Sequence, residues 1–234
     1  MKRFLAIIFL LLAAVPAPAQ SASERYSVSL MGLYGYNETW RGYDGISVTG
    51  FLPLSSHFEA TAAAEAHSPG VYAVTATARP KWQLATGELF IDASLHNRSF
   101  STYCISEFNI AASAGYRFEY ASIQIGATSH FIFNRERNDS GHSEHIVEPL
   151  NLLYRAALYI RPTTSRWNAG VGLANYTDFE YERTWEPMYF LNGHFDITEH
   201  FTVLCRFDLK PAGTFHQVAE FWGVAARAGV KYSF

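Results

Sequence analysis

Polar and apolar residues alternate through most of this chain, in segments of about ten residues that turn residues separate. In the last segment, residues 222–234, the even-numbered positions are apolar, and both charges, Arg227 and Lys231, fall on odd-numbered positions. Successive side chains of a β-strand point to opposite faces of the sheet. This period of two therefore predicts strands with one apolar face and one polar face.

The same alternation predicts twelve strands. They lie near residues 25–37, 44–53, 57–67, 70–80, 87–98, 105–118, 120–134, 147–161, 166–177, 185–197, 199–210 and 218–234. The apolar face of each strand carries no Asp, Glu, Lys or Arg, whereas the second face is rich in small and charged residues. A soluble β-sandwich would place large apolar side chains between its sheets. An apolar outside around a polar inside instead predicts an all-β fold, a closed up-and-down antiparallel transmembrane β-barrel.

The connections between these strands alternate in length. Short turns occur at 53–56, 162–165 and 198–200, and longer loops at 38–43, 99–104, 134–146, 178–184 and 210–217. Bacterial barrels have short periplasmic turns and longer extracellular loops. We therefore expect both termini at the periplasmic end and the polar loop 134–146 outside the cell.

Aromatic residues near the strand ends predict two interfacial girdles. The periplasmic girdle would comprise Tyr26, Phe58, Trp82, Tyr120, Trp167, Phe201 and Phe234, and the outer one Tyr36, Trp40, Tyr72, Phe133, Tyr176, Trp185 and Trp222.

The first residues read as a cleaved secretory signal peptide, residues 1–19. Lys2 and Arg3 precede the apolar run 4–15, and Pro16 and the small residues 17–19 follow it. The run is too short for a spanning helix, which needs about 20 apolar residues. Residues 20–234 would then form the barrel in the bacterial outer membrane, with outer-membrane lipid as its surroundings.

Composition excludes some partners. Charged residues make up 17% of the chain, against about 25% in soluble domains. The formal net charge of -3 gives no basic surface for nucleic acid.

We place Cys104 in an outer loop and Cys205 on the lipid-facing side of a strand, too far apart to bridge. Two free thiols follow.

The C-terminal segment resembles the insertion signal of the bacterial outer-membrane β-barrel proteins. Val230, Tyr232 and Phe234 stand at alternate positions, and the chain ends on an aromatic residue. The resemblance implies that the barrel-assembly machinery recognises this strand during insertion. It identifies the class of protein and no functional subfamily within it.

Charged and histidine residues on the second face are the candidate lumen lining. They are Glu59, Glu65, Arg79, Asp92, Arg117, His130, Arg155, His194, Arg206, Asp208 and Arg227. Mixed charges in a confined interior favour ion pairs, because an unpaired buried charge is costly. They are compatible with an electrostatic plug and with a selective narrow channel.

Histidines offer few signs of chemistry. His67, His96, His130 and His194 fall on inward positions without ligand spacing on one strand, which favours hydrogen bonding over metal binding. His142 and His145 form H-x-x-H in a loop that contains turn residues, where no helix holds the spacing. We expect no metal and no cofactor.

The pattern favours a small passive channel for ions or small hydrophilic solutes. The first alternative is a structural or accessory subunit of an outer-membrane complex, and the second is a lipid-active enzyme. The outer-membrane phospholipases carry a His and a Ser two positions apart on the lipid-facing side, and no H-x-S occurs here. Ser129 faces lipid but His130 points the other way, so we expect no catalytic residues.

Overall fold

Twelve antiparallel strands form the fold in a computed structural model that describes residues 25–37, 41–68, 70–101, 104–134, 145–161, 165–179, 187–211 and 223–234. The strands are β1 Ser27–Asn37, β2 Tyr43–Ser55, β3 Phe58–His67, β4 Val71–Leu84, β5 Gly87–Phe100, β6 Ile105–Arg117, β7 Ala121–Asn134, β8 His145–Tyr159, β9 Trp167–Ala174, β10 Met188–Asp196, β11 Phe201–Lys210 and β12 Gly223–Ser233. In these ranges no helix is long and apolar enough to cross a membrane.

Each strand pairs with its neighbours in sequence, and β1 pairs with β12 to close the barrel. At the seam Ser27 lies opposite Ser233 and Asn37 opposite Gly223. Closure removes the unpaired strand edges that a bilayer would not tolerate. The predicted fold class and the predicted strand number are therefore confirmed.

The two ends of the barrel differ as the connection lengths predict. Strand pairs β2–β3, β4–β5 and β6–β7 join through residues 56–57, 85–86 and 118–120, whereas residues 135–144 and 175–187 connect strands at the opposite end. We call these the turn end and the loop end. The start of β1 and the end of β12 lie at the turn end, where the Phe234 amide donates to the Tyr26 carbonyl over 2.9 Å.

The outer wall is apolar, as the alternation predicts. Large side chains on one face of each strand remain exposed, such as Ile125 at 62%, Leu158 at 64% and Leu191 at 53%. Their neighbours in sequence point inward and are buried, such as Gln124, Ala157 and Phe190. This arrangement fits acyl chains outside and a polar interior.

Cys104 and Cys205 are both free thiols and both exposed. Cys104 lies in the β5–β6 connection at the loop end, and Cys205 lies on β11 among the exposed Val203 and Phe207. Their positions are those expected from the sequence.

Some predicted boundaries are wrong. We end the fourth strand at Pro80, but β4 continues to Leu84. Proline lacks the amide donor, yet one missing ladder bond leaves the strand intact, and the Lys81 amide donates to the His57 carbonyl over 2.8 Å. The predicted start of the last strand at 218 falls among residues outside the described ranges.

The prediction that Tyr176 belongs to the outer girdle is wrong. β9 ends at Ala174, and the chain then turns inward, so that Tyr176 packs against the buried Ala111 and Leu153. Tyr72 and Phe133 are exposed at the loop end as predicted. Trp40, Trp185 and Trp222 lie outside the described residues.

Candidate functional site

The barrel interior is the candidate site, and the structure places the predicted lumen residues in it. Glu59, Glu65, Arg79, Asp92, Arg117, His130, Arg155, His194, Arg206, Asp208 and Arg227 all lie on the side of their strands that carries the buried residues. Alternation thus fixes the direction of each side chain. Which of them contact one another depends on register and on the height of each residue in the wall.

One group of charges lies in the half of the barrel nearer the turn end. The Arg79 guanidinium donates to both Asp92 oxygens, from Nε over 2.5 Å and from Nη2 over 2.9 Å. Its Nη1 donates to Glu59 over 3.1 Å, and the other Glu59 oxygen accepts from Lys81 Nζ at 2.9 Å. Gln124 donates to Asp92 over 2.7 Å. We call these five residues the turn-half network.

A second group lies nearer the loop end. Arg227 on β12 donates to Asp208 on β11 over 2.7 Å and to Glu65 on β3 over 3.2 Å. Arg206 Nη2 lies 2.7 Å from the other Asp208 oxygen. These four residues are the loop-half network. In both networks two cations and two carboxylates share bonds, so the formal charges balance.

Inward phenylalanine rings hold several of the arginines. The Phe90 ring lies 4.5 Å from the guanidinium carbon of Arg79 and 5.7 Å from that of Arg117. The Phe190 ring lies 5.1 Å from that of Arg155 and 4.9 Å from that of Arg206. Such contacts are attractive because the ring face is electronegative.

A glycine on the neighbouring strand makes room for each of these rings. A Cβ at Gly115 would lie 2.3 Å from Phe90 Cζ, and one at Gly172 would lie 2.5 Å from Phe190 Cζ. Both contacts are shorter than a real Cβ permits. The rings therefore lie along the wall over the glycines, and the stacked guanidiniums stay close to the wall with them.

A row of polar side chains crosses β5, β6 and β7 nearer the loop end. His96, Asn109 and His130 are cross-strand neighbours, and each is about 1% exposed. Asn109 Nδ2 lies 3.0 Å from His96 Nδ1, and His130 Nε2 lies 4.0 Å from a Glu107 oxygen. This is a buried polar row within the wall.

The described residues contain no group of side chains that could hold a metal ion. His142 lies outside these residues, and the side chain of His145 is not among those described. Two of the remaining predicted lumen residues, Arg117 and His194, have neighbours outside the two networks. Arg117 donates to Glu88 over 3.0 Å, and His194 lies on β10 two positions from Asp196, which accepts from Thr202.

The chain after β9 enters the lumen. Asn175, Tyr176, Thr177 and Phe179 are buried or half-buried, and Phe179 packs against Ala63 on β3 and Ala73 on β4. We call residues 175–179 the strap. It is the main feature of the interior that the alternation does not predict.

Neither a family model nor a curated protein matches the chain. Solved structures do resemble it. The KdgM porin in complex with disordered oligogalacturonate matches with a TM-score of 0.55 at 9% identity, over 88% of this chain and 99% of that one. The translocator domain of the autotransporter NalP from Neisseria meningitidis matches with a TM-score of 0.55 at 15% identity, over 100% and 94%.

The chain has the fold of a bacterial outer-membrane β-barrel. Porins and autotransporter translocators share this fold, so the fold alone selects neither. The closed barrel and its apolar belt agree with the predicted location in the bacterial outer membrane.

Sequence reasoning missed three interior residues for identifiable reasons. The predicted end of the fourth strand at Pro80 leaves out Lys81, and the predicted lining omits Glu88 and Gln124 although alternation places both inward. The strap has no alternating pattern. The one sign of it is the early end of β9 at Ala174, which is seen in the structure and not in the sequence. The residues of the predicted insertion signal, Val230, Tyr232 and Phe234, lie on the outer face, at 49%, 38% and 64% exposure.

Proposed function

We propose that this barrel is a small passive channel for ions or small hydrophilic solutes. The observation that carries the proposal is the direction of the interior ion pairs. Arg79 bonds to residues on β3 and β5, which flank its own strand, and Arg117 bonds to Glu88 on the neighbouring β5. Arg206 bonds to Asp208 on the same strand. Charges paired along the wall leave the part of the bore beside the strap to solvent, whereas an electrostatic plug requires pairs across it.

One pair reaches further around the wall. Arg227 bonds to Glu65, with β1 and β2 lying between their strands. This pair spans a quarter of the ring of strands, so it crosses one side of the bore and not its centre. The phenylalanine rings over glycine support the same conclusion, because large side chains that lie flat occupy less of the bore. A twelve-strand wall is intermediate between filled eight-strand barrels and open porins.

The paired arginines argue for weak charge selectivity. Sequence alone favours anions, since several arginines face inward. In the structure Glu65, Asp92 and Asp208 accept bonds from them, which cancels much of the positive potential. Arg155 differs, because its contact within the described residues is the Phe190 ring. We infer a mild anion preference that depends on Arg155.

The KdgM porin shares the fold and has been solved with a bound oligogalacturonate. That supports passage of a hydrophilic solute through a barrel of this size. The accessory-subunit and lipid-active-enzyme alternatives rest on no comparable observation in the described residues.

Single-channel conductance in planar bilayers tests the proposal. The refolded protein should produce discrete, voltage-independent current steps in KCl, and heat modifiability on gels should show that the inserted protein is folded. A folded barrel that gives no current would refute the channel function and favour the accessory-subunit alternative.

A further inference from the structure

The start of the strap is fixed by the side chain of Asn175, whose amide group bonds to the main chain of β8. Asn175 Nδ2 donates to the Leu152 carbonyl over 2.6 Å, and Asn175 Oδ1 accepts from the Tyr154 amide over 2.9 Å. Its own amide donates to the Tyr154 carbonyl over 3.2 Å. The side-chain amide thus continues the β8 ladder after β9 ends, and the main chain is released toward the lumen.

The far end of the strap docks on a different part of the wall. The Thr75 hydroxyl on β4 donates to the Asp178 carbonyl. Phe179 lies in a cluster with Ala63 and Ala73, whose short side chains leave space for the ring. The guanidinium carbon of Arg227 on β12 lies 5.8 Å from the centre of the same ring. Phe179 is 8% exposed.

These contacts show that the strap crosses the bore. In the ring of strands, β5–β8 separate β9 from β4 on one side, and β10–β12 with β1–β3 separate them on the other. The two anchor points therefore face each other across the barrel. Five extended residues reach about 17 Å at most, which suits a direct crossing and not a path along the wall.

We propose that the strap is the constriction of this channel and that Phe179 sets its size limit. The inference rests on the proposed channel function. The strap is held at both ends by hydrogen bonds and by ring contacts, so it keeps one position across the bore. Solutes must pass beside it, and the volume of the Phe179 ring decides how much room remains.

Conductance of Phe179→Ala tests the inference. The variant should show larger single-channel currents than the wild type, and liposome swelling should admit larger sugars. Phe207→Ala removes the same ring from the exposed outer face of β11 and should leave both measurements unchanged. Thr75→Val keeps the ring and removes only the bond to Asp178, so it should give an intermediate increase with added current noise.

The outcomes separate the two proposals. Equal currents and equal sugar limits in the wild type and in Phe179→Ala would overturn the constriction and leave the channel function intact. Current in the variant alone would support the constriction while refuting an open wild-type channel. No current from either folded protein would refute both.

A cross-link gives a second measurement that does not depend on current. The pair Thr75→Cys and Asp178→Cys would be made in a background of Cys104→Ser and Cys205→Ser. Oxidation or a short thiol-reactive reagent should join the two sites in the folded barrel, seen as a shift in mobility that reduction reverses. Absence of the product, with both thiols labelled singly, would overturn the crossing.

Discussion

Replacing Glu59 with glutamine tests whether water screens the ion pairs of the turn-half network. Glu59 accepts one bond from Arg79 and one from Lys81, and the side chains of Glu59 and Lys81 are 8% and 7% exposed. The substitution keeps the shape of the side chain and removes its charge. Two cations then share a single carboxylate of the network, Asp92, so the network has lost one of its two negative charges.

The expected cost follows from that imbalance. Removing one partner of a buried ion pair typically destabilises a protein by about 3–5 kcal/mol. The glutamine oxygen still accepts one of the two bonds, so we expect about 3 kcal/mol, or roughly a hundredfold change in the unfolding equilibrium. The double variant Glu59→Gln with Lys81→Gln restores the charge balance and should recover most of the loss.

Urea unfolding in detergent micelles, followed by tryptophan fluorescence and by gel mobility without boiling, measures the effect. Glu199→Gln is the matched control, because Glu199 pairs with Arg25 over 3.0 Å but its side chain is 76% exposed. Exposed pairs contribute about 0–1 kcal/mol. A cost for Glu59→Gln no larger than for Glu199→Gln would refute the reasoning and would indicate that water screens the network.

Three further predictions concern insertion, orientation and selectivity. Phe234→Asp should reduce the amount of heat-modifiable protein in the outer membrane, because it removes the exposed terminal aromatic residue; unchanged amounts would contradict its role in recognition. An epitope inserted at Ser140 should bind antibody on intact cells, and binding only after the outer membrane is breached would reverse the orientation. Arg155→Ser should shift the reversal potential in a KCl gradient toward cations more than Arg206→Ser does, since Arg206 is already paired with Asp208; equal shifts would contradict the pairing argument.

The fold was predictable because a barrel repeats one simple rule. In β12, for example, alternation alone places Arg227 inward and Val230 outward, and the structure agrees. A bilayer strengthens this signal, since charge on the outer face is costly at the membrane centre. The number of strands follows from the number of alternating segments. The membrane location follows from the apolar outer face of each strand.

The contacts inside the barrel were not predictable in the same way. That Arg227 meets Glu65 depends on the curvature that brings β12 near β3, which no local pattern encodes. The role of Gly172 depends on its register opposite Phe190. A tyrosine near a strand end predicts a place in the membrane interface, but the Asn175 side chain bonds to β8 in place of a further β9 residue, and the chain with Tyr176 turns inward.

The strap also constrains the order in which this chain assembles. Thr75 and Asp178 are 103 positions apart in sequence, and their strands face each other only after the sheet has curled. Docking of Phe179 must therefore follow the curling of β3 and β4 toward β9, and contact with Arg227 must await β12, the last strand to be made. A crossing segment of this kind can dock only late in assembly, because its contacts require both halves of the wall to be in place.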